Sequence, residues 1–336
     1  MICELVKKKP ESFKAPPISS NYAGEPRRVG VEIEFGQLTC LRAAEVVVDL
    51  FGGTISKSTD FRYAVENTRL GTFAVEMDFS LVHDADEKNI PPGDDVDDIA
   101  REIKEGAKQA LGQVGEVIVP NEVTGPPIDL NDLPEMDHLL RALSDAGAID
   151  TSENIIYGFG LQLNPEVVST EAESVLRYLQ SFMLLNDWLR SEIQVDLTRR
   201  LLPFADPFPN SYRARILSPD YAPTMTNLID DYLEYNLTRN RDLDMLPFFT
   251  FLDEDRIKTA LDDGLTKSRP TFHYRLPNCS LNDPAWSASL EWNRWVEVER
   301  LAEDPKRLRE MADDWLAREW DGSVSAWVEK VRAWLT

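Results

Sequence analysis

The chain has 336 residues, 43% of them hydrophobic and 28% charged, a composition of soluble globular proteins with one large domain or two ordinary ones. A formal net charge of −23 argues against nucleic acid and against anionic membranes as partners, since both are bound through basic surfaces. No apolar run approaches the roughly 18 residues of a membrane span, and the N-terminus lacks a secretory h-region, so a cytoplasmic location is expected.

Residues 1–25 are rich in Lys, Pro and Ser and are expected to form a flexible N-terminal arm. The first strand is expected over Val29–Phe35, within "RRVGVEIEFGQL". It places Glu32 and Glu34 two residues apart on one face, although Glu is a poor strand former and like charges on one face repel. Alternation sends Val29, Val31, Ile33 and Phe35 to the core and Gly30, Glu32, Glu34 and Gly36 to the other face. The two glycines are expected to leave that face open to close approach by a ligand.

"TCLRAAEVVVDLFGG" has helical spacing and ends on a glycine pair. "GTFAVEMDFSLVHD" alternates Phe73, Val75, Met77, Phe79 and Leu81 with Thr72, Ala74, Glu76, Asp78 and Ser80. That is the pattern of a half-buried strand with a polar second face. A helix is expected from Val96 to Leu111, then a strand within "GEVIVPNEVTGPPI" carrying Glu122, then a helix from Asp132 to Ala146. "NIIYGFGLQLNPEV" reads as a strand with Gln162 and Asn164 opposite Leu161 and Leu163.

A long core helix is expected over Ser169–Leu202, followed by a Pro-rich loop and helices near 225–238 and 254–263. "RPTFHYRLPNCS" is the last expected strand, with Thr271, His273 and Arg275 on one face and Phe272, Tyr274 and Leu276 on the other. The tail is helical, and its tryptophans have the spacing of packing residues. Cys3, Cys40 and Cys279 are too scattered for a disulfide framework or zinc cluster, and Cys279 reads as a buried thiol.

Several strands therefore share a polar, acidic face opposite an apolar one. Carboxylates at i and i+2 on a rigid strand offer hard oxygen ligands to divalent cations, which would also bring in nucleotide phosphates. The bland alternative is a solvated sheet face. Other templates are missing: there is no GxxxxGK[ST], no GxGxxG opening a helix and no HExxH.

The order "VGVEIEF", "FAVEMDFSLV", "VPNEVTGPPI", "YGFGLQLN", "FHYRLPN" resembles the amidoligase family of the carboxylate–amine ligase superfamily, which includes glutamine synthetase and glutamate–cysteine ligase. The resemblance implies an α+β fold, with a curved antiparallel sheet funnel and helices on its outer face. It also implies a catalytic domain over residues 26–300 and a Trp-rich helical extension over 301–336. The implied activity uses ATP and Mg²⁺ or Mn²⁺ to join a carboxylate to an amine through an acyl phosphate, on a glutamate-like or small-peptide substrate. A glutaminase-type amidotransferase is an implied partner.

Residue by residue, the resemblance implies Glu32, Glu34 and Glu122 as metal ligands; His273 departs from it, standing where relatives often carry a glutamate two residues before the final arginine, and is read as a further metal ligand. Asp78 and Ser80 fall at the substrate side, and Arg275, with Arg269, meets the nucleotide phosphates. Arg199 or Arg200 is a candidate for an anionic substrate group, although helix-end arginines usually serve the helix dipole. The pattern departs where many relatives carry Gly-x-His-x-His, because this chain has Gln162 and Asn164, whose carbonyl oxygens remain able to bind a cation or substrate. The other readings are a phosphotransferase on the same scaffold and an inactive ligand-binding homologue.

Overall fold

The computed structural model describes residues 12–77, 120–150, 159–195, 205–261, 266–317 and 324–335. The expected helix at 96–111 lies outside these residues, as do Asp78, Ser80, Arg199 and Arg200.

Among the described residues, nine strands form one antiparallel sheet: β1 (Arg28–Phe35), β2 (Thr54–Thr59), β3 (Arg62–Thr68), β4 (Gly71–Met77), β5 (Asn121–Thr124), β6 (Ile128–Asp129), β7 (Leu161–Pro165), β8 (Leu243–Asp244) and β9 (His273–Tyr274). The order is β2-β3-β4-β5-β1-β7-β9-β8, with β6 beside the start of β1, and the sheet is not closed. The expected last strand contracts to its central pair, flanked by single bridges at Thr271 and Asn278. The β2–β3 hairpin and the short β8 were not expected from the sequence pattern; β2 is almost wholly exposed and offers no apolar alternation.

Ten α-helices occur among the described residues: α1 (Cys40–Phe51), α2 (Pro134–Asp145), α3 (Ala172–Ile193), α4 (Asn210–Leu217), α5 (Met225–Tyr235), α6 (Leu246–Leu252), α7 (Glu254–Ala260), α8 (Ala288–Ala302), α9 (Pro305–Ala317) and α10 (Val324–Leu335). None of them is long and apolar enough to cross a membrane. Helix α1 starts where the Thr39 hydroxyl accepts from Arg42 N, and it stops at Gly52, whose φ of 72° suits glycine. At Gly53 a Cβ would meet Glu66 O at 2.5 Å, so the next residue must be glycine as well.

The helices cover the apolar face of the sheet. Phe51 of α1 stacks on Phe73 of β4 with centroids 5.4 Å apart. Phe272 stacks on Tyr178 of α3 at 5.2 Å, and Tyr274 meets Phe182 of α3 and Trp295 of α8 at 5.8 and 5.3 Å. Helix α3 is buried on nearly every side, as its apolar composition demands. Helix α10 lies against it, with Trp327 Nε1 donating to Leu184 O at 3.0 Å. Trp292, Trp295 and Trp315 are fully buried packing residues. Neither Cys40 nor Cys279 forms a disulfide, and both are buried.

One polar connection joins the sheet to α8. Arg27, the residue before β1, makes a two-pronged ion pair with Glu299 at 2.8 and 2.5 Å, and neither side chain is exposed to solvent. Arg27 Nε also donates to Glu166 O at 2.6 Å, and Trp295 Nε1 donates to Glu299 Oε1 at 2.5 Å. Ahead of this pair, Ser12 O and Lys14 O accept from Asn293 and Trp292, which lays the chain along α8. Glu299→Ala leaves a guanidinium buried without its counter-ion, and urea unfolding should show a loss of about 3–5 kcal/mol. The apolar double variant Arg27→Met/Glu299→Leu should lose clearly less; equal losses would contradict this account of the pair.

Candidate functional site

Strand β1 lies in the middle of the sheet, and its alternation is as expected from the sequence. Val29, Val31, Ile33 and Phe35 are at most 1% exposed, while Glu32 and Glu34 point to the opposite face. Register then aligns the polar residues of its neighbours. Glu34 lies opposite Glu122 of β5, and Glu122 lies opposite Glu76 of β4, so three carboxylates form a row across three strands. Directly opposed like charges destabilise a sheet unless something neutralises them. Arg62 reaches the outermost, Glu76, at 2.9 Å. Thr124 Oγ1 donates to Glu122 Oε1 at 2.8 Å.

The next residues along β1 face β7. Glu32 lies opposite Gln162, and Gly30 opposite Asn164. This face is not a solvated surface: Glu32, Gln162, Asn164 and His273 are all less than a tenth exposed. Gly36 is also not an opening, because a Cβ there would meet Ile149 Cγ1 at 3.0 Å and Phe159 at 3.1 Å. The glycine admits the neighbouring chain, not a ligand.

Gln162 and Asn164 act chiefly as amide donors to the two glutamates. Gln162 Nε2 and Gly160 N donate to the Glu34 carboxylate, both at 2.7 Å. Asn164 Nδ2 and Arg269 Nη1 donate to Glu32 Oε1 at 2.9 and 3.0 Å. With its NH₂ on Glu34, Gln162 turns its carbonyl oxygen to His273 Nε2 at 2.5 Å, so this network makes Nε2 the protonated ring nitrogen. His273 Nδ1 faces Asp244 Oδ2 at 3.7 Å, and Nε2 is 3.9 Å from Glu32 Oε2. A metal held by His273 would therefore use Nδ1 or displace the Gln162 bond.

Burial pushes the Glu32 carboxyl upward, but His273 and Arg269, with the hydrogen bonds from Arg269 and Asn164, outweigh it. The result lies below the ordinary carboxylate range. The other end of the Asn164 amide is different: Oδ1 is buried and has no hydrogen-bond partner among the described residues.

Arg275, the residue after β9, donates Nη1 to Arg239 O at 2.6 Å and its main-chain N to Asp242 O. The β7–β9 register places it across from Gln162, on the same face as Glu32. The structure thus brings Glu32, Glu34, Glu122, Gln162, Asn164, Arg269, His273 and Arg275 onto adjoining strands and the loop before β9. Asp244 and Glu76 join them without having been singled out. Glu76 was visible in the alternation of its strand; Asp244 lies on a two-residue strand that leaves no periodic trace.

Among the described residues, no group of three or more His, Cys, Asp or Glu is gathered to hold a metal by protein ligands alone. The donor set nevertheless fits Mg²⁺, which keeps several waters and is usually held by one or two carboxylates together with substrate phosphates. Glu34 and Glu122, opposed on neighbouring strands, are such a pair.

The sequence model of a family described as "Putative amidoligase enzyme" matches residues 25–297. No curated protein matches the chain.

Because folding lowers the Glu32 carboxyl, its ionised form stabilises the protein above the ordinary carboxylate range, and this contribution fades as pH falls through the lowered value. Glu32→Gln should therefore cost stability in urea unfolding near pH about 7 and cost progressively less below pH about 4. A deficit that stays constant on acidification would contradict the assignment.

Proposed function

This chain belongs to the amidoligase family, and on that premise we propose that it is an ATP- and Mg²⁺-dependent ligase joining a carboxylate to an amine. The observation that carries the reading is the set of carboxylates on one face of the central strands. Glu32 and Glu34 are held in place by amides from β7, and Glu34 stands directly opposite Glu122. A sheet gains nothing in stability from opposed glutamates; a cation with its phosphates makes the arrangement favourable.

In this reading Glu34 and Glu122 would hold Mg²⁺, with Glu32 and His273 as the further proposed ligands, and the ion would offset the charge of the nucleotide phosphates. The ATP–magnesium complex supplies the γ-phosphoryl group, whose transfer to the substrate carboxylate releases ADP and makes phosphate the leaving group for the amine. Gln162 and Asn164 fix the carboxylates by donating to them, which pre-sets their orientation. Arg269 and Arg275 are the arginines proposed to meet phosphate oxygens, which a guanidinium does with a fork of donors. Asp78 and Ser80, which lie outside the described residues, are proposed to act on the substrate side. The sheet is proposed to curve as in glutamine synthetase. The carboxylate substrate is glutamate-like or a small peptide, and a glutaminase-type amidotransferase is the proposed partner.

ADP release is the readout. With a panel of glutamate-like carboxylates and amines, release should depend on added amine; release indifferent to amine would favour a phosphotransferase. Glu34→Gln should lower ATP turnover about a hundredfold or more while the circular dichroism spectrum stays the same. Unchanged turnover would sink the site assignment.

A further inference from the structure

The last turns of α3, the chain just after it, the loop before α4 and the start of α10 line a cleft of about 580 Å³. Small-molecule sites run from roughly 300 to 1,000 Å³. None of the candidate-site residues lines this cleft. Two of its lining side chains, Asp187 and Arg190, are of opposite charge and only 13% and 17% exposed, so little water screens them. They stand three residues apart on α3, a spacing of about 5–6 Å between Cβ atoms, yet each is paired with another residue. Asp187 Oδ2 accepts from Arg213 Nη2 at 3.0 Å, and Asp187 Oδ1 has no hydrogen-bond partner among the described residues. Arg190 Nη1 donates to Asp242 Oδ1 and Oδ2 at 2.7 and 2.8 Å and to Ala205 O at 3.0 Å. Its Nε and Nη2 have no partner among the described residues. On the α10 wall, Glu329 and Arg332 are paired with each other. Val195, Pro207, Val324 and Val328 supply an aliphatic part of the lining.

We propose that this cleft binds an aliphatic α-amino acid in its zwitterionic form, at a site separate from the metal–nucleotide face. The inference goes beyond the ligase reading and stands without it. An α-amino acid carries its ammonium and carboxylate on one carbon, so the two charges can meet Asp187 and Arg190 across a single helix turn. The ammonium donates to Asp187 Oδ1. The carboxylate accepts from Arg190 Nε and Nη2, the edge a guanidinium offers to a two-pronged contact. Arg213 and Asp242 hold the two side chains from behind and leave those atoms to the ligand. The aliphatic side chain of the ligand lies against the valines and Pro207. A lone cation or a lone anion fits less well, because Asp187 and Glu329 balance Arg190 and Arg332 in the lining and either ion would leave one charge unmatched.

The test uses the whole chain, L-leucine as the probe and calorimetric titration as the readout. Isoamylamine is leucine without its carboxylate, and isocaproate is leucine without its ammonium. Leucine should give saturable heat below about 10 mM, and each analogue should bind more weakly by about tenfold or more. Asp187→Asn keeps the shape of the side chain and removes its charge, and should weaken leucine by about tenfold or more. Because that change also touches the Arg213 pair, a second variant is needed. Val324 is exposed and belongs to no ion pair, so Val324→Trp fills the cleft from its rim. It should weaken leucine to a similar degree with an unchanged melting temperature.

Absence of saturable leucine binding to wild type would overturn the proposal, needs no variant to fold, and leaves the ligase reading intact. Isoamylamine or isocaproate binding as tightly as leucine would also overturn it, since the cleft would then select one charge and not the pair. Leucine binding that is undiminished in Val324→Trp would place the amino acid elsewhere on the chain and overturn the assignment to this cleft.

Discussion

The fold depends on β1 keeping its register. The strand is central, has neighbours on both edges, and sends alternate residues to two environments that cannot be exchanged. A slip of one residue would put Glu32 and Glu34 into the apolar layer beneath α1, α3 and α8 and expel Val31 and Ile33 from it. Both ends of the strand oppose such a slip. Arg27 is locked to Glu299 just before it, and Gly36 N and O exchange hydrogen bonds with Ile149 just after it, at 3.0 and 3.1 Å.

With β1 fixed, its neighbours' registers determine the chemistry of the polar face. On the β5 side, Glu34, Glu122 and Glu76 come together as opposed carboxylates. On the β7 side, the amides of Gln162 and Asn164 hold the two β1 glutamates, and a continuous path runs from Glu34 through Gln162 to His273 and on toward Asp244. The two sides differ in kind. The β5 side concentrates negative charge, whereas the β7 side pairs charge with donors and leaves Asn164 Oδ1 buried without a hydrogen-bond partner among the described residues.

The strand pattern made much of this legible. Strict alternation around Glu32, Glu34, Gln162 and Asn164 placed all four on one face, and the order of motifs carried the family resemblance. What stayed hidden has physical causes. The β2–β3 hairpin is a largely solvated edge, so burial wrote little pattern into it. Strand β8 contributes Asp244 through only two residues, fewer than a period-two signal needs. Gly36 looked like an opening because sequence cannot say what stands opposite a missing side chain, and there it is Phe159 and Ile149. The carbonyl oxygens of Gln162 and Asn164 were legible as possible ligands, whereas the donation of their amide groups to the Glu34 and Glu32 carboxylates depends on the register of β7 against β1, which the sequence does not show.

The opposed Glu34 and Glu122 are proposed to hold a metal-bound nucleotide. A crystal of the protein grown with manganese and a non-hydrolysable ATP analogue, read by anomalous scattering, tests it most directly. Manganese peaks are expected within coordination distance of the Glu34 and Glu122 carboxylates and of nucleotide phosphate oxygens. Nucleotide bound elsewhere, or manganese with no carboxylate of β1 or β5 in its coordination shell, would contradict it.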